Sequence, residues 1–466
     1  MKRKKNNKPM KVNQTKIKFT KKKITAWGGI ASLIGKFLER IEFKDWVKKN
    51  IPIKETSNNG KGVYEKILGQ FFTVLVGGQR FSHMTWWGHG REVLIRTFGV
   101  KWLPKDSSSL TRLWDKISTQ IKAEEIGNTC KRFAKKIIEW KGIEEDNLNL
   151  DSTVVTLYGE QQGAKRGYNP KKPGRLSHHP LIGFLGIGYV VNLWNRSGNT
   201  NSGEGAKEFF EQTLKSLGKD FRIKRVLCDS GYYLIEFIKY LEEKGFKYII
   251  SVSMAQIIQR RIMSIRKWIE VTKGIEVAEF KFKHIDLKWD KERRYVVVRQ
   301  SVNKRKKALG KQPSLFTEEE EWKEYRMSIM ITNDEESSPV DIWREYRTRA
   351  KDENGIKKLR EDFGIRSFNK ENFWSTEAVM VMNALIFHNL IHYLNRNIFN
   401  KNSPCEHLKT LRSKYFIIPG LLGSESRNSV LRLGVRDKKL KAKRIYFMKR
   451  ITCISNSLNC NAVYFS

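Results

Sequence analysis

Three carboxylates in this chain stand where the local pattern makes a charge costly unless it meets a cation. Asp151 lies in Leu148-Asn-Leu-Asp-Ser-Thr-Val-Val, inside an alternating strand pattern. Asp229 closes the strand-like run Arg225-Val-Leu-Cys-Asp just before Ser230-Gly231, a turn. The carboxyl ends of parallel strands are where open α/β sheets place their sites. Glu353 falls on a segment opened by Ser338-Pro339-Val-Asp341 and closed by Gly364. That opening supplies an N-cap, a proline at the first helical position and an acid in the first turn; the glycine is a C-terminal stop. Taken singly, Asp229 also fits a helix N-cap or turn former, and Asp151 a surface position. Together, three hard oxygen donors suit two Mg²⁺ ions about 3.5–4 Å apart, which activate a water or a 3′-hydroxyl and stabilise the leaving oxygen of a phosphodiester.

The predicted helix over 338–364 carries more than the glutamate. Tyr346, Arg349, Glu353 and Arg360 stand at offsets of 0, 3, 7 and 14. At about 100° per residue these fall within a wedge of roughly 60°. By itself such a face reads as solvated and salt-bridged. With two aspartates upstream it reads as a groove wall whose exposed arginines clamp the phosphates beside a scissile bond.

The elements that must position these residues are also legible. From about Thr25 to Ile143 the pattern is helical, with Leu33-Ile34-Phe37-Leu38-Ile41 and Tyr64-Ile67-Leu68-Phe71-Phe72-Leu75 at 3–4 spacing. Ser107–Trp114 looks like a capped helix start in a helix-turn-helix-like unit. From Asn147 the texture changes: strands at 147–158, 179–188 and 189–195, a helix at 204–217, a strand at 223–229, a helix at 234–244 and a strand at 248–252. That order predicts an α/β fold with a ribonuclease-H-like mixed sheet and helices on both faces. Phe280/Phe282, Ile285/Leu287/Trp289, 295–299 and 326–332 then read as antiparallel β, with Asp290-Lys-Glu292 as a hairpin tip and Lys304–Lys307 as a basic loop. The predicted organisation is a basic flexible arm (1–24), a helical DNA-binding domain (25–145), a catalytic core in two parts (146–254 and 338–397) split by a β-rich insertion (255–337), and a basic C-terminal region (398–466).

The composition narrows the partner. The 466 residues hold 90 Lys+Arg against 49 Asp+Glu, a net charge of +41, with a pI near 10.0. A folded chain with that excess repels itself unless a polyanion is near, and nucleic acid is the common answer. The first 23 residues carry 11 Lys or Arg and no acid, and residues 432–450 carry nine with one Asp. No apolar run reaches the about 18 residues that a spanning helix needs, so no membrane partner is expected. Five cysteines without a CxxC pair suit free thiols in a cytoplasm, here nucleoid-associated. His388 and His392 share a helix face, but their apolar flanks read as packing rather than zinc. Gly183-x2-Gly186-x-Gly188 is no phosphate loop and no Walker lysine follows, so no ATP is expected. Gly167-Tyr-Asn-Pro-Lys-Lys-Pro-Gly-Arg175 reads as hairpin-turn chemistry that also offers Arg175 to a DNA backbone.

The spacing Tyr-x2-Arg-x3-Glu-x6-Lys/Arg resembles that of bacterial insertion-sequence transposases of the DDE type, which cut and paste through a DNA-hairpin intermediate. Asp-Ser-Thr-x5-Gly, Gly-Tyr-Asn-Pro-x3-Gly-Arg-x-Ser-x-His-Pro, Asn195-Arg-Ser-Gly-Asn199 and Asp229-Ser-Gly-Tyr232 are similar to one subgroup, and the likeness covers roughly residues 151–395. The resemblance implies that Asp151, Asp229 and Glu353 hold two Mg²⁺ ions, with Mn²⁺ able to substitute. It implies that Tyr346 and Arg349 contact the phosphates of the transposon ends. Arg360 stands where lysine is usual, which keeps the charge but changes the geometry, and Lys357 can share its role. A tryptophan of the insertion would hold a flipped base; Trp268, Trp289 and Trp322 are candidates, Trp289 the preferred one, although each also fits a core. The partners implied are double-stranded terminal inverted repeats and target DNA, bound by a homodimer. Two other readings stay open: a catalytically inactive or domesticated relative that only binds DNA, and a ribonuclease or repair nuclease on the same core.

Overall fold

The computed structural model of the chain describes residues 11–13, 15–55, 61–285, 289–301, 325–401 and 403–454, with the backbone but not the side chains of 11, 12 and 350–353. The alternating run around Asp151 forms β1 (Glu145–Ser152), which buries Leu148 and Leu150 on one face and sets Asn147, Asn149 and Asp151 on the other. Then come β2 (Leu181–Leu185), β3 (Val190–Trp194), β4 (Arg222–Cys228) and β5 (Tyr248–Ser251). β2 is antiparallel to β1 and β3 to β2, whereas β4 is parallel to β1 and β5 to β4. Helices α1 (Ala206–Leu217) and α2 (Ile235–Glu243) connect β3 to β4 and β4 to β5. Their Phe209, Phe210, Phe237 and Leu241 join Leu148, Leu150 and Val226 in one core.

The inserted strands do not form a separate body. β6 (Ile269–Thr272), β7 (Ile275–Phe282), β8 (Arg293–Ser301) and β9 (Tyr325–Thr332) make an antiparallel meander. β9 pairs antiparallel with β5, through Ile249↔Thr332 and Ile250↔Ile331. The result is one nine-stranded sheet in the order β6-β7-β8-β9-β5-β4-β1-β2-β3. This pairing gives β5 a partner where it would otherwise end the sheet on unpaired N–H and C=O groups. The strand expected at Ile285/Leu287/Trp289 is corrected. The β7–β8 register closes at Phe282↔Arg293, and neither Ile285 nor Trp289 lies in a strand. Ile285 is an exposed turn residue, Trp289 N–H donates to the His284 carbonyl at 3.1 Å, and Leu287 lies outside the described residues. Lys304–Lys307 and Trp322 also lie outside them.

The helices expected over 25–145 are present, among them Val63–Leu75, Ser108–Asp115 and Gln120–Trp140. They own no separate core. One hydrophobic cluster joins Leu68, Phe71 and Phe133 to Ile182, Phe184 and Val190 of the sheet and to Leu385, Phe387 and Leu390 of a helical run over 373–399. A buried hydrogen bond crosses this junction, from Gln70 Nε2 to Asn383 Oδ1 at 2.8 Å, and Gln70 Oε1 accepts from Trp114 Nε1 at 2.6 Å within the helices. The change at residue 145 is therefore one of secondary structure, not of core. His388 and His392 are buried on the 373–399 run, and His392 Nε2 meets the Ile187 carbonyl at 2.9 Å, as packing residues. In the C-terminal region a hairpin (Gly420–Glu425 and Asn428–Leu433) takes Ile24–Thr25 as a third strand, and a basic helix (Lys438–Thr452) follows.

The segment predicted as one helix over 338–364 is two: α3 (Pro339–Thr348) and α4 (Ala350–Glu361). Ser338 caps α3 as predicted, its Oγ accepting from the Asp341 N–H at 3.1 Å with Pro339 in the first turn. The launch point is clamped to the sheet by Asp334, whose side chain is fully buried. Its carboxylate accepts from Arg225 Nη2 at 2.6 Å, Ser337 Oγ at 2.8 Å and the backbone N–H groups of Glu336 and Ser337 at 3.1 and 3.2 Å. Burial pushes this carboxyl up, but the bonds from Arg225 and Ser337 outweigh it and hold it well below the usual range. A depressed folded-state pKa contributes stability that is present above the unfolded pKa of about 3.9 and is lost as pH falls towards the folded value. Asp334→Asn should therefore cost about 3–5 kcal/mol at pH 7, the usual loss when one member of a buried ion pair is removed. Urea unfolding measures it, and the variant should show a flatter decline in stability below about pH 4 than the parent chain.

Candidate active site

The sheet brings Asp151 and Asp229 together. Cys228 pairs with Leu150 in the parallel β1–β4 register, which sets the next residue of each chain, Asp229 and Asp151, side by side. Each carboxylate has one oxygen held by backbone. Ser152 N–H donates to Asp151 Oδ1 at 2.8 Å, and Gly231 N–H to Asp229 Oδ1 at 2.9 Å. Asp229 thus caps the short turn Ser230–Tyr232, the role its local sequence also allows, while standing beside Asp151.

α3 crosses this end of the sheet, with Ile342 packed on Leu227, Ile249, Val296 and Met330. Its last turn delivers two of the expected residues. The Tyr346 hydroxyl donates to the Cys228 carbonyl at 3.3 Å, and burial pushes its pKa up. Arg349 Nη2 meets Asp151 Oδ2 at 2.9 Å. The expectation of exposed arginines is corrected here, because Arg349 and Asp151 are each only 7% exposed. Burial works against the guanidinium charge, but Asp151, then Tyr346 and Asp229, outweigh it and raise its pKa. The uniform screw assumed for the helix is corrected as well. Arg349 N–H bonds to the Tyr346 carbonyl at 3.0 Å in a tightened turn between α3 and α4, at the residue that must reach Asp151.

The other expected residues are placed as follows. Glu353 lies in the first turn of α4, and its side chain is outside the described residues. Lys357 is exposed and Arg360 half-buried beside Arg366; Arg360 lies about 16 Å along the helix axis from Arg349. Arg175 is exposed on a turn held by buried Asn169, whose Nδ2 donates to Thr156 Oγ1 at 3.0 Å. This turn belongs to the segment between β1 and β2, which leaves and re-enters the sheet at the Asp151 end. Trp289 is corrected from a base-stacking platform to a core residue. It is 3% exposed, packed near Tyr233 and Tyr295, with the Arg293 guanidinium 4.9 Å over its ring. Trp268 is partly exposed, with Arg299 4.2 Å over its ring.

Two observations bear on whether a cation fits here. The donors are carboxylate oxygens, and the guanidinium on Asp151 Oδ2 is a stand-in for a positive ion at that oxygen. The Tyr232 hydroxyl, fully buried beside both aspartates, has no hydrogen-bond partner among the described residues. No group of three or more His, Cys, Asp or Glu converges among the described residues; the third expected donor is Glu353, whose side chain is not among them.

Residues 7–437 match the sequence profile of a family described as Transposase DDE domain group 1. The chain belongs to that family. No curated protein sequence matches it. A cryo-EM structure of a piggyBac transposase synaptic complex with hairpin DNA aligns over 94% of this chain and 86% of its own, at 12% identity. The TM-score is 0.42. Among the described residues of this family member, no helix is long and apolar enough to cross a membrane. Sequence reasoning assigned no role to Ser152, His179 or Arg196, which surround the aspartates. Their signal was the density of polar residues in the Asp-Ser-Thr, Ser-x-His-Pro and Asn195-Arg-Ser-Gly-Asn199 strings.

Proposed function

We propose that this chain is a DNA transposase that binds the ends of a bacterial insertion sequence and, with a divalent metal, cuts the strands and joins them to target DNA. The observation that carries this reading is the buried Arg349–Asp151 pair beside Asp229, at the carboxyl ends of two adjacent parallel strands. A core in which β1–β3 are antiparallel and β4 and β5 run parallel to β1 supports a ribonuclease-H-like catalytic fold. The net charge of +41 supports a polyanionic substrate.

In this reading Asp151, Asp229 and Glu353 would hold Mg²⁺ or Mn²⁺, which would supply Lewis-acid activation of a water or 3′-hydroxyl. The protein's own residues do the positioning. Backbone N–H groups hold Oδ1 of each aspartate, and Oδ2 of Asp151 faces the Arg349 guanidinium. The Tyr346 hydroxyl ties α3 to the end of β4. Arg349, released from Asp151, would pair with a phosphate beside the scissile bond, where a guanidinium gives a charge-assisted, two-pronged contact.

The test is a cleavage assay in Mg²⁺ on duplex DNA carrying the element's terminal repeats and on an RNA–DNA hybrid. The expected result is nicking and joining of the DNA ends, no product with EDTA, no ATP requirement and no action on the hybrid. Hybrid cleavage alone would make the protein a nuclease of another kind. Tight end binding without cleavage in either metal would make it an inactive relative.

A further inference from the structure

Beside the aspartates, the loop over 195–205 is tied to β1 by a set of buried polar bonds. His179 is 4% exposed, and its Nδ1 lies 2.7 Å from the Thr200 carbonyl, an acceptor, so Nδ1 carries the proton. Nε2 is then an acceptor, and Ser152 Oγ donates to it at 3.1 Å. With its proton committed to His179, Ser152 Oγ is left to accept from Ser202 Oγ, also at 3.1 Å. Ser152 is the residue whose backbone N–H holds Asp151 Oδ1. Arg196 secures the far side, with Nε on the His179 carbonyl at 2.9 Å and Nη1 on the carbonyls of Asn201, Ser202 and Glu204 at 3.1, 3.2 and 2.6 Å.

The same loop packs against the turn that follows the second aspartate. A Cβ on Gly203 would stand 2.6 Å from the Gly231 carbonyl, and one on Gly231 would stand 2.5 Å from Ser202 Cβ. Gly231 is the residue whose N–H holds Asp229 Oδ1. A continuous path of contacts thus joins the two carboxylates through the loop, in addition to the strand pairing. A carboxylate's direction matters to a cation because the bonds are short and few.

We infer that His179 is a positioning residue for the aspartate pair: through the Ser152 hydroxyl it sets the direction of the Asp151 carboxylate, and through Thr200 it holds the loop that packs on the Asp229 turn. The inference rests on the metal-site reading above. It predicts that His179 governs affinity for the cation before any DNA is bound.

The experiment is Mn²⁺ titration of the full chain without DNA, by calorimetry or by the electron paramagnetic resonance of free Mn²⁺, with melting temperature recorded alongside. His179→Asn keeps a donor for Thr200 but is too short for Ser152, whereas His179→Gln places an acceptor near Nε2. His179→Asn and Ser152→Ala should each weaken Mn²⁺ binding by about tenfold or more, the usual effect of removing a group that orients a metal ligand. His179→Gln, which keeps the acceptor for Ser152 but gives up the Thr200 bond, should fall between His179→Asn and the parent; Ser152→Thr should stay within a few-fold of the parent, and melting should shift little in Ser152→Ala, whose position is only partly buried. Parent-like Mn²⁺ affinity in both His179→Asn and Ser152→Ala would overturn the inference. So would equal loss in all four variants tracking their loss of melting temperature, which is the mark of a packing role. If the parent and Asp151→Asn bind Mn²⁺ alike, the metal-site reading itself fails, and this inference with it.

Discussion

Asp151→Asn, Asp229→Asn and Glu353→Gln are each expected to lower DNA cleavage at least about a thousandfold, because each removes a charged oxygen worth several kcal/mol at about 1.4 kcal/mol per tenfold. End binding, measured by gel shift at fixed salt, should change little, since it draws on the excess of Lys and Arg across the chain. The aspartates should also differ from each other in stability. Asp151→Asn leaves Arg349 buried without its carboxylate, so it should destabilise the protein, whereas Asp229→Asn keeps an oxygen to cap the Gly231 N–H. Glu353→Gln is the decisive member of the set, because the case for that residue rests on helix spacing and motif resemblance. Near-parent cleavage by any one of the three would remove that residue from the site.

Arg349→Ala is expected to reduce cleavage and joining by about 10²–10³, the usual loss when a positioned donor is taken from a reacting oxyanion. Its stability effect should also be large. A surface arginine costs about 0–1 kcal/mol to lose, but the buried Arg349–Asp151 pair should cost about 3–5 kcal/mol. The two effects separate by metal. With Arg349 gone, its guanidinium no longer competes with a cation for Asp151 Oδ2, so added Mn²⁺ should raise the melting temperature of the variant more than that of the parent. Cleavage per folded molecule should stay low even when Mn²⁺ restores stability. A variant that melts early but cleaves normally once stabilised would reduce Arg349 to a packing residue and remove the phosphate-clamp role.

Much of the site was legible in the sequence because its parts are local. Asn147, Asn149 and Asp151 alternate with Leu148 and Leu150, and period-two alternation of polar and apolar residues needs no tertiary information to predict a strand with a polar face. Ser338 and Pro339 specify a helix start through their own side chains, and the cap formed as expected. The order of strands and helices from β1 to β5 followed from the same kind of pattern, including the placement of Asp229 at a strand end.

What the tertiary structure decided was each matter of long-range pairing. Whether Arg349 faces solvent or Asp151 depends on where the end of α3 meets β1, a contact between residues far apart in the sequence. Trp289 reads the same from its neighbours whether it caps a hairpin or fills a core; the β7–β8 register put it in the core. The insertion reads as a separate module until β9 is seen to pair with β5, because hydrogen bonds between strands carry no sequence label. His179 shows the same division. Its type and its string were visible, but its role arises only where β2 begins beside the end of β1, so that one imidazole meets both Ser152 and Thr200. The local pattern specified the elements and the donors; contacts between residues distant in the chain specified which donors meet.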